Sequence, residues 1–153
     1  MTNESKRGPA PGFCYLYPRP AVTVDIALLY AGAGGVEVLV IRRARDPWKG
    51  LWALPGGYVE EYEPLEVAAA RELEEETGVQ GVELRQIGAF GDPGRDPRGH
   101  TISVAYGCVV GEQTVVTAGD DADDARWIQV ADDPGLAFDH SLIVRSAVEK
   151  LLG

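Results

Sequence analysis

The sequence predicts a single α/β domain in which a mixed set of strands is layered with two helices. Apolar runs separated by glycine-rich turns predict the strands. Two segments with helical spacing, residues 64–77 and 141–152, predict the helices. This mixture favours a layered α/β domain over a bundle or a barrel. The length of 153 residues is that of one typical domain.

The first predicted strands precede a glycine pair. Residues 22–30 and 36–41 are apolar and β-branched, and A-G-A-G-G between them predicts a hairpin. A short loop with the sequence P-G-G follows, and glycine there permits a sharply turned backbone. The hairpin therefore leads directly into this loop.

The first predicted helix covers residues 64 to about 77. Pro64 suits the first helical position, an alanine run and Leu73 favour helix, and Gly78 suits a C′ stop. After it, residues 82–90 and 101–110 predict a strand pair.

The last predicted strand is residues 125–130. The spacing of apolar residues over 141–152 predicts a terminal amphipathic helix. We expect His140 to belong to the N-terminal cap of that helix.

Three carboxylates share one face of the first helix. Glu72, Glu75 and Glu76 stand at i, i+3 and i+4, so they repel one another unless a cation lies among them. Oxygen ligands of this kind suit Mg²⁺, with Mn²⁺ as a substitute, and such ions are often completed by substrate phosphates. The spacing predicts a metal-dependent site for a phosphate ester or anhydride.

A solvated acidic face is the alternative interpretation of this helix. Eight glutamates occur between residues 60 and 76, namely Glu60, Glu61, Glu63, Glu66, Glu72, Glu74, Glu75 and Glu76. Arg71 is the basic residue among them, so few i,i+4 pairs offset the repulsion. A helix whose charged residues served only for solubility would mix acidic and basic side chains.

Residues 57–79 resemble the Nudix box, G-x5-E-x7-R-E-U-x-E-E-x-G-U, where U is aliphatic. Its defined positions are filled by Gly57, Glu63, Arg71, Glu72, Leu73, Glu75, Glu76, Gly78 and Val79. A motif with so many fixed positions is a specific signal. The resemblance implies an α/β/α sandwich with a mixed sheet and a loop-helix-loop catalytic motif. It also implies hydrolysis of a nucleoside diphosphate linked to another group.

Position by position, the resemblance implies roles for the box residues. Glu72 and Glu76 correspond to the main metal ligands, Glu75 to a further ligand or a water-orienting carboxylate, and the carbonyl of Gly56 to another ligand.

Arg71 and Glu63 are expected to orient the carboxylates by ion pairing. For the general base, Asp121 in the acidic loop before Trp127 is the first choice, since relatives place a loop carboxylate there. A solvated loop remains the alternative, and a box glutamate could serve instead.

The connection G-D-P-G-R-D-P-R-G-H, residues 91–100, is long for a hairpin. Arg95 and Arg98 could donate paired hydrogen bonds to phosphate from a loop stiffened by proline, or they could be solvated. Arg42, at the end of a strand, is a third candidate for substrate binding, although alternation directs only one of Arg42 and Arg43 toward the site. The loop resembles the ADP-ribose pyrophosphatase branch of the Nudix family, which predicts hydrolysis of ADP-ribose to AMP and ribose 5-phosphate.

Other functions stay open. One is hydrolysis of another nucleotide, such as an oxidised nucleoside triphosphate, NADH or a sugar nucleotide, and another is a non-catalytic sensor of ADP-ribose or a related metabolite. A role as a regulator with a Nudix-like domain is disfavoured, because such a regulator carries an added DNA-binding domain and we expect a single domain here.

Composition and charge limit the kinds of binding partner and the cellular location that we expect. The net charge of −10 and the absence of a basic patch disfavour nucleic acid as a partner and leave a small nucleotide substrate. The sequence has no apolar signal core and no run of transmembrane length, so we expect a cytoplasmic protein that does not bind membranes. We expect residues 1–20 to form a flexible arm and residues 21–153 a single domain. The family resemblance further implies a possible homodimer.

Overall fold

The computed structural model describes residues 14–119 and 122–153, without the side chain of residue 123. The elements in chain order are β1 (Ala21–Gly32), β2 (Gly35–Arg43), β3 (Trp52–Ala53), β4 (Gly56–Tyr58), α1 (Leu65–Thr77), β5 (Arg85–Phe90), β6 (Thr101–Val110), β7 (Ala122–Gln129) and α2 (His140–Leu152). A short 3₁₀ turn, Val130–Asp132, precedes α2.

The strands form one mixed sheet. Its order is β3-β2-β1-β6-β5, with β4 also paired to β1 and β7 to β2. The central β1–β6 pair is parallel and the other pairs are antiparallel. The predicted mixed sheet is confirmed.

Each face of the sheet is covered by one helix. Ala27 and Leu29 of β1 pack with Ile143 and Ala147 of α2 in one core cluster. Side chains alternate along a strand, so Val24, Ile26 and Leu28 of β1 point to the other face. There they pack against α1. Burial on both faces explains why β1 is a continuous apolar run. The α/β/α sandwich that the sequence predicts is confirmed.

Element boundaries differ slightly from those predicted. The strand predicted at residues 82–90 begins at Arg85, and Val82 and Leu84 instead pack on the core as a non-strand segment. Pro64 is the N-cap of α1 rather than its first residue, and Gly78 ends the helix in the left-handed conformation with a φ of 77°. This termination fixes where the carboxylate face of α1 stops.

Candidate active site

The carboxylates of Glu72 and Glu76 lie against the backbone of the glycine pair before α1. Glu72 is 1% exposed and Glu76 is 9% exposed. The Gly56 N–H donates a hydrogen bond to Oε2 of Glu76 at 2.9 Å. A Cβ at Gly57 would lie 2.6 Å from Oε1 of Glu72, so a side chain at position 57 would displace that carboxylate. The loop and the helix therefore meet at these four residues.

Arg71 joins three of the neighbouring carboxylates. Its Nε and Nη2 donate to the two oxygens of Glu63 at 2.6 and 2.8 Å, and Nη1 donates to Glu72 at 2.8 Å and to Glu75 at 3.1 Å. Hydrogen bonding to Glu63, with smaller contributions from Glu72, raises the pKa of the Arg71 guanidinium above its ordinary value despite partial burial. Such a fixed cation holds Glu72 in one orientation.

The donor set around the glycine pair is suited to a hard divalent ion. In residues 14–119 and 122–153, no three His, Cys, Asp or Glu side chains converge on one ready-made cation position. Glu75 is 53% exposed and lies beside Arg71, whereas Glu72 and Glu76 are buried beside backbone. Two carboxylates and a carbonyl fit Mg²⁺ or Mn²⁺, because such ions keep several waters in their coordination shell. The residues that could hold the ion are Glu72, Glu76 and Gly56, and Glu75 as a further ligand stays a prediction.

A cavity opens beside Glu76, and residues of both charges line it. Its lining includes Asp25, Arg43, Gly56, Gly57, Tyr58, Glu76, Arg95, Arg98, Phe138 and His140. The lining combines acidic residues and the glycine pair with arginines from β2 and from the β5–β6 connection. An anionic ligand in this cavity would meet the arginines and lie next to the cation-binding residues.

Arg95 and Arg98 both line this cavity, and each is held by a carboxylate. Arg95, with a side chain 5% exposed, donates through Nε and Nη2 to the two oxygens of Asp139 at 2.8 and 2.5 Å. Arg98 donates through Nε and Nη2 to Asp96 at 3.0 and 2.8 Å, and its side chain is 28% exposed. Arg95 therefore anchors the connection to the start of α2, whereas Arg98 keeps exposed surface beside the cavity.

The sequence analysis selected Arg42, but Arg43 is the neighbour that lines the cavity. Arg42 is exposed, and its backbone pairs with Trp52 on one side and Asp124 on the other. The Cζ of Arg43 lies 4.9 Å from the ring centroid of Phe138, and its Nε donates to the Pro47 carbonyl at 2.7 Å. Of the two arginines, Arg43 is therefore the one beside the cavity, and substrate binding by Arg42 stays a prediction.

A buried polar group in the lining of the cavity was missed by the sequence analysis. Asp25 accepts a hydrogen bond from the Ser103 hydroxyl and lies 3.3 Å, Oδ1 to Nε2, from His140. Burial raises the pKa of Asp25, but His140 and Ser103 outweigh that effect, so the pKa lies below its ordinary value. The available signal was an aspartate inside the apolar run V-T-V-D-I-A. His140 was expected to cap α2, but α2 has no side-chain cap bond and the ring faces β1.

Asp121, the first choice for the general base, lies outside the described residues. The chain that leads toward it is docked on the end of α1. The Thr117 and Gly119 N–H groups donate to the carbonyls of Thr77 and Glu76, each at 3.1 Å. A Cβ at Gly119 would lie 1.8 Å from the carbonyl oxygen of Glu75, so a side chain at this position would force the two segments apart.

Fold and site together define a Nudix-type domain, an α/β/α sandwich whose acidic helix follows a glycine pair. A family model described as NUDIX domain matches residues 19–146. The chain therefore belongs to the Nudix hydrolase family.

Two relatives within the family have names that refer to ADP-ribose. The chain is 42% identical over 135 residues to an ADP-ribose pyrophosphatase of Methanocaldococcus jannaschii, covering 85% of this chain and 74% of that protein. It is 34% identical over 139 residues to an ADPR responsive transcriptional repressor of Acinetobacter baylyi, covering 88% of this chain and 56% of the repressor.

Two solved structures share the fold. The NUDIX domain of Shewanella oneidensis NrtR, crystallised with ADP ribose, superposes with a TM-score of 0.83 at 29% identity and covers 98% of this chain and 99% of that one. A bifunctional NMN adenylyltransferase/ADP ribose pyrophosphatase of Francisella tularensis, complexed with AMP and a Mn ion, has a TM-score of 0.74 at 30% identity, covering 89% of this chain and 43% of that one. A divalent metal is therefore bound in a structural relative.

Across the described part of the chain, no helix is both long enough and apolar enough to span a membrane.

Proposed function

We propose that this protein hydrolyses ADP-ribose to AMP and ribose 5-phosphate in a reaction that depends on Mg²⁺, with Mn²⁺ as a substitute. The observation that carries the proposal is the cavity in which Glu76 and the glycine pair share a lining with Arg43, Arg95 and Arg98. A pyrophosphate needs this combination of cation-binding carboxylates and direct positive charge. The named activity of the relative from M. jannaschii supports the same substrate.

The reaction adds one water across the pyrophosphate. A water oxygen attacks one phosphorus, the bridging P–O bond breaks, and the two monophosphates separate. Bound Mg²⁺ would supply Lewis-acid stabilisation of the charge that develops on the phosphate oxygens. Glu72, Glu76 and Gly56 are the proposed ligands, with Glu75 as a further ligand, and Arg71 and Glu63 hold Glu72 in place. Arg43, Arg95 and Arg98 would neutralise the charge of the substrate phosphates.

The proton of the attacking water must pass to a carboxylate. Asp121 remains our proposal for this general base, by analogy with loop carboxylates in the family. Glu75 is the alternative, since it is the exposed member of the box carboxylates and is oriented by Arg71.

A sensor of ADP-ribose without turnover is the second candidate. It is favoured by the similarity to the ADPR responsive repressor of A. baylyi and to the NrtR domain crystallised with ADP ribose. From the sequence we also propose a cytoplasmic protein with residues 21–153 as the catalytic domain and residues 1–20 as an arm, and from the family resemblance a homodimer.

The test is a substrate panel with product identification. ADP-ribose, NADH, a sugar nucleotide and an oxidised nucleoside triphosphate are each incubated with Mg²⁺ or with chelator, and the products are separated by chromatography. We expect preference for ADP-ribose, AMP as a product, and no turnover with chelator. Preference for another compound would reject ADP-ribose as the substrate but would keep the metal-dependent hydrolysis. Tight ADP-ribose binding without hydrolysis would select the sensor.

A further inference from the structure

A hydrogen-bonded group of three polar residues is buried under the proposed metal site. Ser103, Asp25 and His140 are 0%, 6% and 3% exposed, and they join β6, β1 and α2. Burying a carboxylate on a central strand is costly, and apolar residues of similar volume often serve stability as well or better. A contribution other than packing is therefore expected of this group.

The ring nitrogens of His140 have different partners. The Leu54 N–H donates to Nδ1 at 3.0 Å, so Nδ1 is an acceptor and carries no proton in this arrangement. The ring hydrogen is then on Nε2, which faces Oδ1 of Asp25 at 3.3 Å. His140 thus links Leu54 to the buried carboxylate.

The segment from Leu54 to Gly56 is held at each residue. His140 accepts from Leu54, the Ile26 N–H donates to the Pro55 carbonyl at 2.8 Å, and Gly56 packs directly on Asp25. A Cβ at Gly56 would lie 2.4 Å from Oδ1 of Asp25, which shows how close the two residues are.

The same segment contacts the metal-binding helix on its other side. The Gly56 N–H donates to Glu76, the box carboxylate that lines the cavity. A shift of the Leu54–Gly56 segment would therefore change the positions of the Gly56 carbonyl and of the Glu76 carboxylate together.

We propose that Asp25 and His140 are positioning residues that set the Leu54–Gly56 segment and thereby the cation affinity of Gly56 and Glu76. The inference rests on the proposed metal site. Ser103 fixes Asp25, Asp25 orients the His140 ring, and the ring holds the Leu54 amide. Loss of this support weakens cation binding before any substrate is present, by about 10- to 100-fold as for other residues that orient metal ligands.

The test measures Mn²⁺ binding to the full chain without nucleotide, by electron paramagnetic resonance of the free ion. His140→Leu removes both ring contacts, whereas His140→Asn keeps an acceptor near the position of Nδ1. His100→Asn is the matched control, because His100 is exposed and its ring contacts only the Gly91 carbonyl among the bonds observed. We expect weaker Mn²⁺ binding in His140→Leu, partial recovery in His140→Asn, and no change in His100→Asn.

Amide hydrogen exchange separates positioning from general destabilisation. In His140→Leu the Leu54 amide should exchange faster while amides of the β1–β6 pair stay protected. If His140→Leu does not fold, Asp25→Asn is measured with both readouts, because removal of its charge can weaken Mn²⁺ binding directly, whereas faster exchange of the Leu54 amide reports loss of positioning. Asp25→Asn should also bind Mn²⁺ more weakly than the wild type.

The outcomes distinguish this inference from the proposed function. Absence of Mn²⁺ binding by the wild-type protein would overturn the metal site itself. The positioning role alone would be overturned if folded His140→Leu bound Mn²⁺ with the same affinity as the wild type. If His140→Leu does not fold, the same result with Asp25→Asn would overturn it. Kinetics add a further check, since a positioning role lowers kcat at fixed Mg²⁺, whereas direct substrate contact raises KM for ADP-ribose.

Discussion

Glu76 and Glu72 are one helical turn apart, and both carboxylates are buried against the backbone of the glycine pair. The i,i+4 spacing alone predicted that these side chains share a face. The sequence could not predict their burial, because the partner surface comes from a loop that the sheet positions. Arg71 was predicted to pair with Glu63, and the observed contacts have that geometry.

Glu76→Gln removes the charge of one proposed ligand with little change of shape. We expect kcat for ADP-ribose to fall by about 100-fold or more, the size of effect seen when transition-state charge loses a stabilising group. Turnover is measured with Mg²⁺ and folding is checked by circular dichroism.

Glu74→Gln is the matched control, since Glu74 lies on the same helix and is exposed. It should retain activity near that of the wild type. Normal turnover by folded Glu76→Gln would remove Glu76 from the ligand set.

Arg43→Ala should raise the KM for ADP-ribose by about 10-fold or more, because a hydrogen bond to a charged group contributes about 1.5–3 kcal/mol and 1.4 kcal/mol is tenfold in affinity. Arg42→Ala is the comparison, because Arg42 is the exposed neighbour, and it should leave the KM for ADP-ribose almost unchanged. Steady-state kinetics of the two variants decide between the residues. A larger effect from Arg42 would restore the original sequence-based choice.

The sequence alone could not choose between these two arginines. Alternation predicts that one of them faces the site, but the β2–β7 register shifts between Arg42 and Arg43. Such an irregularity locally changes the direction of side chains and leaves no reliable signal in composition.

At the scale of elements, the connection between β5 and β6 is the segment whose form the sequence predicted only in outline. Its prolines and arginines indicated a stiff anion-binding loop. In the structure Arg95 and Arg98 are each paired with an aspartate, Asp139 and Asp96 respectively. The pairing with Asp139 crosses 44 positions of sequence, so no local pattern could have predicted it.

The carboxylate of Asp96 gives this connection a pH dependence. Burial raises its pKa, but the hydrogen bonds and charge of Arg98 outweigh that effect, so the pKa in the folded state lies below the ordinary 3.8. The stabilisation is therefore complete above about pH 3.8 and is lost as the pH falls through the lower folded-state pKa. Asp96→Asn should lower the free energy of unfolding at pH 7 by about 2 kcal/mol, and the difference from wild type should shrink below pH 3.8.

Urea denaturation at neutral and acid pH measures this difference. Asp92→Asn is the control, since Asp92 is exposed in the same connection and should change stability little at either pH. A difference between wild type and Asp96→Asn that is constant with pH would show that the ion pair does not stabilise the loop.

At the scale of the whole molecule, the sequence predicted the class of fold but not the order of its strands. Local patterns identified the hairpin, the helices and the paired strands after the acidic helix. They could not indicate that β6 lies parallel to β1 in the centre of the sheet, because this pairing joins residues far apart in the chain. The buried group of Asp25, Ser103 and His140 depends on the same pairing, which explains why it escaped local analysis.

The parallel pairing of β1 and β6 also bears on how the chain acquires its structure during synthesis. Ten residue pairs join these strands, from Ala21 with Thr101 to Tyr30 with Val110, and the acidic helix is made between them. A ribosome that has released the chain only as far as Gly99 leaves one edge of β1 without its hydrogen-bonding partner. The acidic helix is therefore complete well before the sheet that supports it, and stable folding must wait until β6 has emerged.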